Sequence, residues 1–533
     1  MKLAVRAVRS ARRALGLAFA SLLAACGGSG GYGGPDDGGG NGGTGWTPGV
    51  FLPADSFYAK CVSPRSGTDP LTGQPYLDVL GTRTDENNFL RSYSNDTYLW
   101  YDEITDRDPA LYQTLEYFDL LKTTASTPSG TAKDQFHFTF DTDEYVALVQ
   151  SGESAGYGAQ WAILRGDPPR QVVVAYTDPN TPATAPTVGL ARGDEVLSAD
   201  GVSVSDGNPD PLNAAFFPAA AGETHSFLIR DRETLQTRTI TMQSAIITSA
   251  PVQNVSFVDR PGGRVGYLLF NDHIATAETG LYNAVNNLAA AGVDELVVDL
   301  RYNGGGFLDI ASEFAYMIAG GARTAGTYFE RLEFNDQHPS TDPVTGAPLE
   351  PIPFHNRSQG FSLPDGTLLP SLNLARVFVL TGAGTCSASE SIMNSLRGIG
   401  VEVIQIGGTT CGKPYGFYPT DNCGTTYFTI QFRGTNFAGF GDYADGFRPA
   451  NSTLPIGTPV PGCAIADDFG RDLGDPLEDR YAEALAWVDT GQCTSPPSAS
   501  TVQSVEAPAS DDAQDAFVPK SPWHTNRILR QRP

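Results

Sequence analysis

Short apolar runs alternate with helix-period segments over the second half of the chain. Five runs are predicted to be strands: 263–270, 294–301, 375–380, 401–408 and 425–434. The run 294–301 has the continuous hydrophobic character of a buried strand. Residues 277–292 instead repeat apolar positions at helical spacing. Alternation of this kind is typical of an α/β fold. We therefore predict an α/β core over residues 249–493.

The pattern changes in the first half of the chain. Strand-like runs separated by turn residues occur at 156–163, 171–177, 225–231 and 237–242. They predict a β-rich domain over 151–248. Before it, 86–104 and 111–122 have helical spacing, which predicts a small helical N-terminal region over 50–150.

The stretch GTCSASESIMNSLRG (384–398) follows an apolar strand and small turn residues. Ser387 and Glu390 fit the S-x-x-E capping box, so a helix is predicted to begin at Ser387. The N–H groups at a helix N-terminus also suit an oxyanion, which makes Ser387 a candidate nucleophile. Caps are far commoner than nucleophiles, so this stretch alone leaves both interpretations open.

Two further segments carry candidate chemistry. Lys413 lies in TTCGKPYGF (409–417), just after the strand at 401–408, and DLRYNGGGFLD (299–309) is a glycine-rich strand end. A strand and a helix separate Ser387 from Lys413 and could bring both to one edge of the sheet. A lysine kept neutral by burial can serve as a base, and glycine N–H groups can face an oxyanion. Taken alone, Lys413 could be a solvated surface charge and the glycines could form an ordinary turn.

Charge and residue spacing exclude several functions. The 533 residues carry a net charge of −25 and a pI near 4.5, which argues against a nucleic-acid partner. The sequence has no C-x-x-C and no H-E-x-x-H, and its six histidines are scattered. We therefore predict no metal site and no cofactor.

The N-terminus has the features of an export signal. A basic stretch is followed by the short apolar run 15–25, which ends in Leu23-Ala24-Ala25-Cys26. This ending resembles the lipobox of bacterial lipoproteins. The resemblance implies a signal peptide over 1–26, lipidation of Cys26, and a membrane anchor; an ordinary signal peptide is the alternative. Residues 27–49 read as a glycine-rich tether. Gly27 in place of Asp implies the outer membrane, facing the periplasm.

Export places the remaining cysteines in an oxidising compartment, where they are expected to form disulfides. There are six: Cys61, Cys386, Cys411, Cys423, Cys463 and Cys493. Six cysteines allow 15 pairings, which spacing alone does not decide. The segment 494–533 is rich in Ser, Pro, Ala and Asp and is predicted to be a disordered tail.

Within the β-rich domain, GLARGDEVLSADG (189–201) resembles the G-L-x-x-G-D signature of PDZ domains. Such domains bind a peptide by strand addition and its terminal carboxylate in a glycine-rich loop. By resemblance, that loop consists of Gly156, Tyr157, Gly158 and Ala159. The alternative is a generic β-rich insert whose glycines only make turns.

Taken with these motifs, the chain resembles the C-terminal processing, or tail-specific, serine peptidases. They join a PDZ domain to a crotonase-like α/β core and use a Ser-Lys dyad. Their S-A-S-E motif is matched at 387–390, their lysine segment at 410–413, and their D-L-R-x-N-x-G-G motif at 299–306. The resemblance covers roughly residues 80–490.

The resemblance implies a lipid-anchored serine endopeptidase of the cell envelope that cleaves polypeptides through an acyl-enzyme. Ser387 would be the nucleophile and Lys413 the general base. The N–H groups of Ala388 and of Gly305 or Gly306 would form the oxyanion hole. A catalytically impaired binding protein on the same scaffold is the alternative, and the oligomeric state stays open.

The sequence departs from the family four residues after the lysine, where Phe417 replaces the usual Gln that orients the amine. Another restraint on Lys413 is therefore needed. We predict a Cys411–Cys423 disulfide, which would close the short loop that carries Lys413. The second candidate is Cys386–Cys411, which would join the serine turn to the lysine segment.

Overall fold

The computed structural model describes residues 46–69, 73–497 and 527–529. The predicted signal peptide (1–26) with Cys26, and most of the predicted tether (27–49), lie outside the described residues. Within the described part of the chain, no helix has both the length and the apolar character needed to cross a bilayer.

The α-helices of the described residues are, in chain order, α1 (Arg83–Thr97), α2 (Thr114–Asp119), α3 (Thr142–Ser151), α4 (Pro209–Phe216), α5 (Ala277–Ala291), α6 (Leu308–Ala319), α7 (Gly321–Thr324), α8 (Ala388–Gly398) and α9 (Asp479–Thr490). The strands before residue 250 are β1 (Lys60–Cys61), β2 (Val79–Leu80), β3 (Phe138–Asp141), β4 (Glu153–Gly156), β5 (Ala159–Arg165), β6 (Gln171–Thr177), β7 (Glu195–Ala199), β8 (Val202–Ser203), β9 (Thr224–Arg230), β10 (Thr237–Gln243) and β11 (Ala245–Thr248).

The strands after residue 250 are β12 (Val252–Arg260), β13 (Gly263–Phe270), β14 (Glu295–Asp299), β15 (Gly306–Phe307), β16 (Arg331–Glu333), β17 (Arg376–Thr381), β18 (Glu402–Gly407), β19 (Tyr415–Gly416), β20 (Thr420–Asn422), β21 (Thr425–Phe428), β22 (Phe432–Thr435), β23 (Phe447–Pro449), β24 (Thr458–Val460), β25 (Gly462–Cys463) and β26 (Arg527–Ile528). Because Arg527 and Ile528 form a paired strand and Ile528 is buried, the prediction of disorder over 494–533 is wrong for these residues.

A sheet in the order β12-β13-β14-β17-β18-β25 forms the centre of the core. The β12–β13 pair is antiparallel and the other pairs are parallel. Helices α5, α6 and α8 bury Leu281, Phe314 and Ile392 with one face of this sheet. Helix α9 buries Tyr481 with the other face. The α/β prediction is therefore confirmed, whereas the crotonase-like description stays a prediction.

Most core elements lie where the hydrophobic pattern predicts them. Strand β13 has the predicted bounds, and α5 ends one residue early. The run at 425–434 instead divides into β21 and β22. It divides because β21 pairs with β3 and β20, whereas β22 pairs with β16 and β19. The change of pairing partner thus divides the strand, although the apolar pattern of 425–434 shows no break.

The segment 153–248 is β-rich, as predicted. Its main sheet has the order β10-β9-β7-β6-β5, with β8 paired to β7. Helix α4 packs Phe216 against Trp161 and Phe227 in a separate apolar cluster. Strands β4 and β11 pair where the segment begins and ends. The interpretation as a PDZ domain stays a prediction.

The region before residue 151 is less helical than predicted. Helix α1 ends at Thr97 because Tyr98 adopts an extended backbone, and α2 has six residues. The region also contributes β3, which pairs with β21 of the core. Residues 138–141 are therefore part of a sheet that the core completes.

A disulfide between Cys61 and Cys423 joins this region to the core, with a Cα–Cα distance of 5.4 Å. Another joins Cys463 and Cys493. The Cys61–Cys423 bond closes a separation of 362 residues, and such a bond restricts the unfolded chain strongly.

We expect the double variant Cys61→Ser/Cys423→Ser to lower the free energy of unfolding by about 2–5 kcal/mol. Denaturant unfolding followed by fluorescence measures the change, and peptide mapping checks that the other disulfides still form. An unchanged midpoint would contradict the expected contribution of this bond.

Candidate active site

Ser387 lies at the turn between β17 and α8, and its backbone is strained. Its φ of 61° is uncommon for a residue with a side chain, and such conformations cluster at functional sites. Glu390 accepts the Ser387 N–H at 2.9 Å, but Ser387 Oγ makes no reciprocal cap bond. The hydroxyl is buried and has no hydrogen-bond partner among the described residues. The predicted helix therefore begins after Ser387, with Glu390 bonded to the Ser387 N–H as a capping box requires.

Lys413 is fully buried between two aromatic rings. Its Nζ lies 4.6 Å from the ring centroid of Phe136 and 4.4 Å from that of Phe417. Burial lowers the pKa of Lys413 to about 7, although the carboxylates of Asp134 and Glu390 oppose the shift. A lysine with this pKa is partly neutral near neutral pH and can accept a proton. The Phe417 ring thus contributes to the desolvation of the Lys413 amine.

The carboxylate of Glu390 brings the serine turn and the lysine segment together. One oxygen accepts the N–H groups of Ser387 at 2.9 Å and Lys413 at 2.8 Å. The other accepts the Gly412 N–H at 2.9 Å and the Thr410 hydroxyl at 2.5 Å. The backbone nitrogens of both candidate catalytic residues thus lie within 3 Å of one oxygen atom. Sequence reasoning identified Glu390 only as part of a helix cap.

A disulfide between Cys386 and Cys411 makes the same connection, with a Cα–Cα distance of 5.1 Å. The predicted Cys411–Cys423 pairing is therefore wrong, and the second candidate is the one observed. The reason is the direction of the β20–β21 hairpin, which pairs with β3 and places Cys423 beside Cys61. Cys411 instead faces the serine turn, where its N–H donates to Thr385.

Asn303 joins the glycine loop to the serine turn. Its Oδ1 accepts the Gly305 N–H at 2.9 Å and lies 3.0 Å from His273 Nδ1. Its carbonyl oxygen accepts the Cys386 N–H at 3.0 Å and the Ser389 hydroxyl at 3.1 Å. The structure thus brings all three predicted motifs to one place.

The backbone N–H and C=O groups of Gly305 and Gly306, the two glycines proposed for the oxyanion hole, point to different sides of the loop. The carbonyl of Gly305 and the N–H of Phe307 both bond to His273. Because successive residues of an extended segment direct their N–H and C=O groups to opposite sides, those of Gly306 face away from His273. A Cβ on Gly306 would lie 2.6 Å from the His273 carbonyl oxygen, and its φ of 133° favours glycine.

The arginine of the D-L-R motif is fully buried in a network of carboxylates. Arg301 bonds to Asp299 at 2.9 Å, to Asp467 at 2.6 Å and to both oxygens of Glu478. Arg192, from the G-L-x-x-G-D segment, bonds to the same Asp467 at 2.6 Å. The network therefore connects the segment 153–248 to the strand end that precedes the glycine loop.

The predicted carboxylate-binding loop lies between β4 and β5. Gly156 ends β4 and Ala159 begins β5. The side chain of Tyr157 is buried, and its hydroxyl donates to the Ala215 carbonyl at 3.0 Å. Gly158 has a φ of 74°. A carboxylate-binding role for this loop stays a prediction.

Comparison with known families identifies the segment that holds this site. Residues 264–417 match Peptidase family S41. The matched segment begins in β13 and contains the glycine loop, Ser387 and Lys413. It ends at Phe417.

Two curated relatives are carboxyl-terminal-processing proteases. The chain is 27% identical over 275 residues to that of Picosynechococcus sp., covering 50% of this chain and 56% of the relative. It is 28% identical over 171 residues to that of Synechocystis sp., covering 32% and 39%. The chain thus spans about half or less of the length of these relatives.

A solved structure assigned as an S41 protease of Bacteroides fragilis has a similar fold. Its TM-score is 0.56 at 21% identity, over 76% of this chain and 97% of that chain. This similarity supports an α/β fold.

Proposed function

We propose that the protein is a serine endopeptidase that cleaves polypeptides through a Ser387–Lys413 dyad. The observation that carries the proposal is the shared carboxylate of Glu390, which holds both residues beside each other. The buried lysine, with a pKa of about 7, supplies a base that is partly neutral near neutral pH.

The proposed reaction has two steps. Ser387 Oγ attacks the substrate carbonyl carbon while Lys413 Nζ takes the hydroxyl proton and then gives it to the leaving amine. This step breaks the peptide bond and leaves an ester on Ser387. Water then attacks the ester, again giving a proton to Lys413, which returns it to Ser387 as the new carboxyl group leaves.

The N–H groups of Ala388 and Gly306 are the proposed oxyanion hole. Ala388 is the first residue of α8, so its N–H has no acceptor within the helix. The N–H of Gly305 is the weaker candidate because it already donates to Asn303. Gly306 is therefore the better candidate of the two glycines that the sequence left open.

The proposal places the enzyme in the bacterial cell envelope, anchored by a lipid on Cys26 to the outer membrane and facing the periplasm. The lipobox and the tether support this location. A PDZ-type loop at 156–159 would bind the C-terminal segment of the substrate. Intact-mass analysis of membrane-extracted protein, with Cys26→Ser as the control, tests the anchor.

A fluorophosphonate probe tests the catalytic proposal. We expect the probe to label the wild-type protein at Ser387 and to leave Ser387→Ala unlabelled. If the wild type and a variant lacking residues 498–533 both stay unlabelled, the alternative, a catalytically impaired binding protein on this scaffold, is favoured.

The rate of peptide cleavage should rise with pH through the pKa of Lys413, about 7. The neutral amine is the active form, so activity is lost below this pKa and reaches a plateau above it. Asp134→Asn removes a charge that raises the pKa of Lys413, so its acid limb should move to lower pH. A profile of kcat/KM measures both effects.

A wild-type profile that is flat between about pH 5 and about pH 9 would contradict the assignment of Lys413 as the base. A shift to higher pH in Asp134→Asn would contradict the sign of the electrostatic effect. The two bonds to Asp134 go to different oxygens, so the Asn oxygen can accept only one of them, from the Phe136 N–H. The Asn NH₂ group can donate to the Tyr98 hydroxyl oxygen in place of the other, which limits structural change.

A further inference from the structure

The C-terminal segment 527–529 lies between the glycine loop and the lysine segment. Strand β26 pairs in parallel with β15, with Gly306 opposite Arg527 and Phe307 opposite Ile528. On its other side, Phe417 forms a parallel bridge with Ile528. The Leu529 N–H donates to the Phe417 carbonyl at 3.2 Å. The segment is therefore a middle strand between two elements of the candidate active site.

Ile528 fixes this strand by burial. Its side chain is 2% exposed and belongs to the same apolar cluster as Phe307 and Phe417. Leu529 is partly buried against that cluster. An aliphatic, β-branched side chain thus occupies an apolar subsite that the core provides.

The strand lies beside the groups that carry the proposed chemistry. The N–H and C=O groups of Gly306 face the side opposite His273, and β26 pairs on that side. Phe417, which accepts the bond from Leu529, also has its ring against Lys413 Nζ. Ser387 and Lys413 are both fully buried in this arrangement. A substrate could reach their side chains only if the structure around them opened.

Gly306–Phe307 and the Phe417 backbone form what we call the binding strip, and it suits an extended polypeptide. Strand addition gives affinity through backbone hydrogen bonds and specificity through side-chain pockets. Because the segment belongs to the same chain, its docking is intramolecular, and a short contact can compete with substrate in solution.

We infer that the binding strip is a polypeptide-binding site and that the chain's own segment 527–529 occupies it as an autoinhibitory ligand. The ligand class is an extended peptide with an aliphatic residue at the place of Ile528. The inhibitory consequence rests on the proposed function, whereas the docking does not.

Hydrogen exchange tests the docking without using activity. The full chain and a variant lacking residues 498–533 are compared, both carrying Ser387→Ala. We expect faster exchange in the truncated chain for peptides that contain Gly306 and for the 415–417 segment. Equal exchange in the two proteins would overturn the docking.

The rate of fluorophosphonate labelling tests the inhibition. The truncated chain and the variant Ile528→Asp, which places a charge in the apolar subsite, should be labelled at least about 10-fold faster than the full chain. Ile456→Asp makes the same change at an exposed isoleucine and should be labelled like the full chain. A synthetic peptide with the sequence 520–533 should slow labelling of the truncated chain, and its Ile528→Asp form should not.

Unchanged labelling after truncation, in a protein that the probe does label, would overturn the inhibition. Absence of labelling in every form would instead contradict the proposed peptidase function, and hydrogen exchange would still decide the docking. An equal gain in Ile456→Asp would show that any added charge loosens the fold, and would overturn the role of Ile528.

Discussion

Ser387→Ala and Lys413→Ala are each expected to lower kcat/KM for polypeptide cleavage by about 10⁴-fold or more. The nucleophile cannot lose its proton without the base, and the base has nothing to activate without the nucleophile. The double variant should therefore be no slower than the slower single variant. Cleavage of an unstructured polypeptide, followed by mass spectrometry, measures the three rates.

Two further substitutions separate the chemistry of Lys413 from its packing. Lys413→Arg should also be inactive, because a guanidinium stays protonated and cannot serve as a base. Lys413→Met keeps an unbranched apolar stem between Phe136 and Phe417 and removes a buried charge, so its thermal stability should equal or exceed that of the wild type. Retention of more than about 1% of wild-type activity in Lys413→Met would contradict the dyad.

Local patterns were enough to predict the elements of the core. Strands β13 and β18 and helix α5 form where the sequence pattern predicts them. Their apolar residues are buried in the core, and no change of pairing partner divides these elements. The predicted bounds are wrong where a strand that is distant in sequence determines the pairing. The run at 425–434 divides because its two halves pair with different strands, and no local signal marks that point.

The candidate site shows the same division. Ser387 and Lys413 could be found from the sequence because their segments carry recognisable motifs. Phe136 and Asp134 could not, since they come from a region without a motif that only the tertiary fold places beside Lys413. The burial of Ile528 could not be predicted either, because a two-residue strand has no hydrophobic periodicity.

The error in the cysteine pairing has a specific cause. Cys411 and Cys423 are close in sequence. Their bond was predicted because it would close the short loop that carries Lys413. Loop entropy describes the unfolded chain, but the native pairing depends on which sulfur atoms the fold brings together. The β20–β21 hairpin places Cys423 beside Cys61, which is 362 residues away in sequence.

The second large effect is expected at Glu390. Glu390→Ala would leave four buried donors without an acceptor: the N–H groups of Ser387, Gly412 and Lys413 and the Thr410 hydroxyl. Each unsatisfied donor costs about 1–3 kcal/mol, so the variant should lose several kcal/mol of stability. We expect kcat/KM to fall by about 10³-fold or more, because the serine turn and the lysine segment lose their shared contact.

Glu390→Gln gives a sharper test, because it keeps the size of the side chain. Its amide oxygen can accept one pair of these bonds, but its NH₂ group would face the other pair of donors. The variant also loses a negative charge that raises the pKa of Lys413, so its acid limb should move to lower pH. Glu333→Gln, at an exposed carboxylate that pairs with Arg433, is the matched control and should resemble the wild type.

The pH profile distinguishes a positioning role from a purely structural one. If Glu390 only stabilised the fold, Glu390→Gln would lower the unfolding midpoint and leave the acid limb and kcat of the folded protein unchanged. If Glu390 also sets the position and charge of the dyad, kcat must fall and the limb must shift while the protein is still folded. Wild-type kcat with an unshifted limb would mean that the Cys386–Cys411 disulfide alone is sufficient to hold the serine turn against the lysine segment.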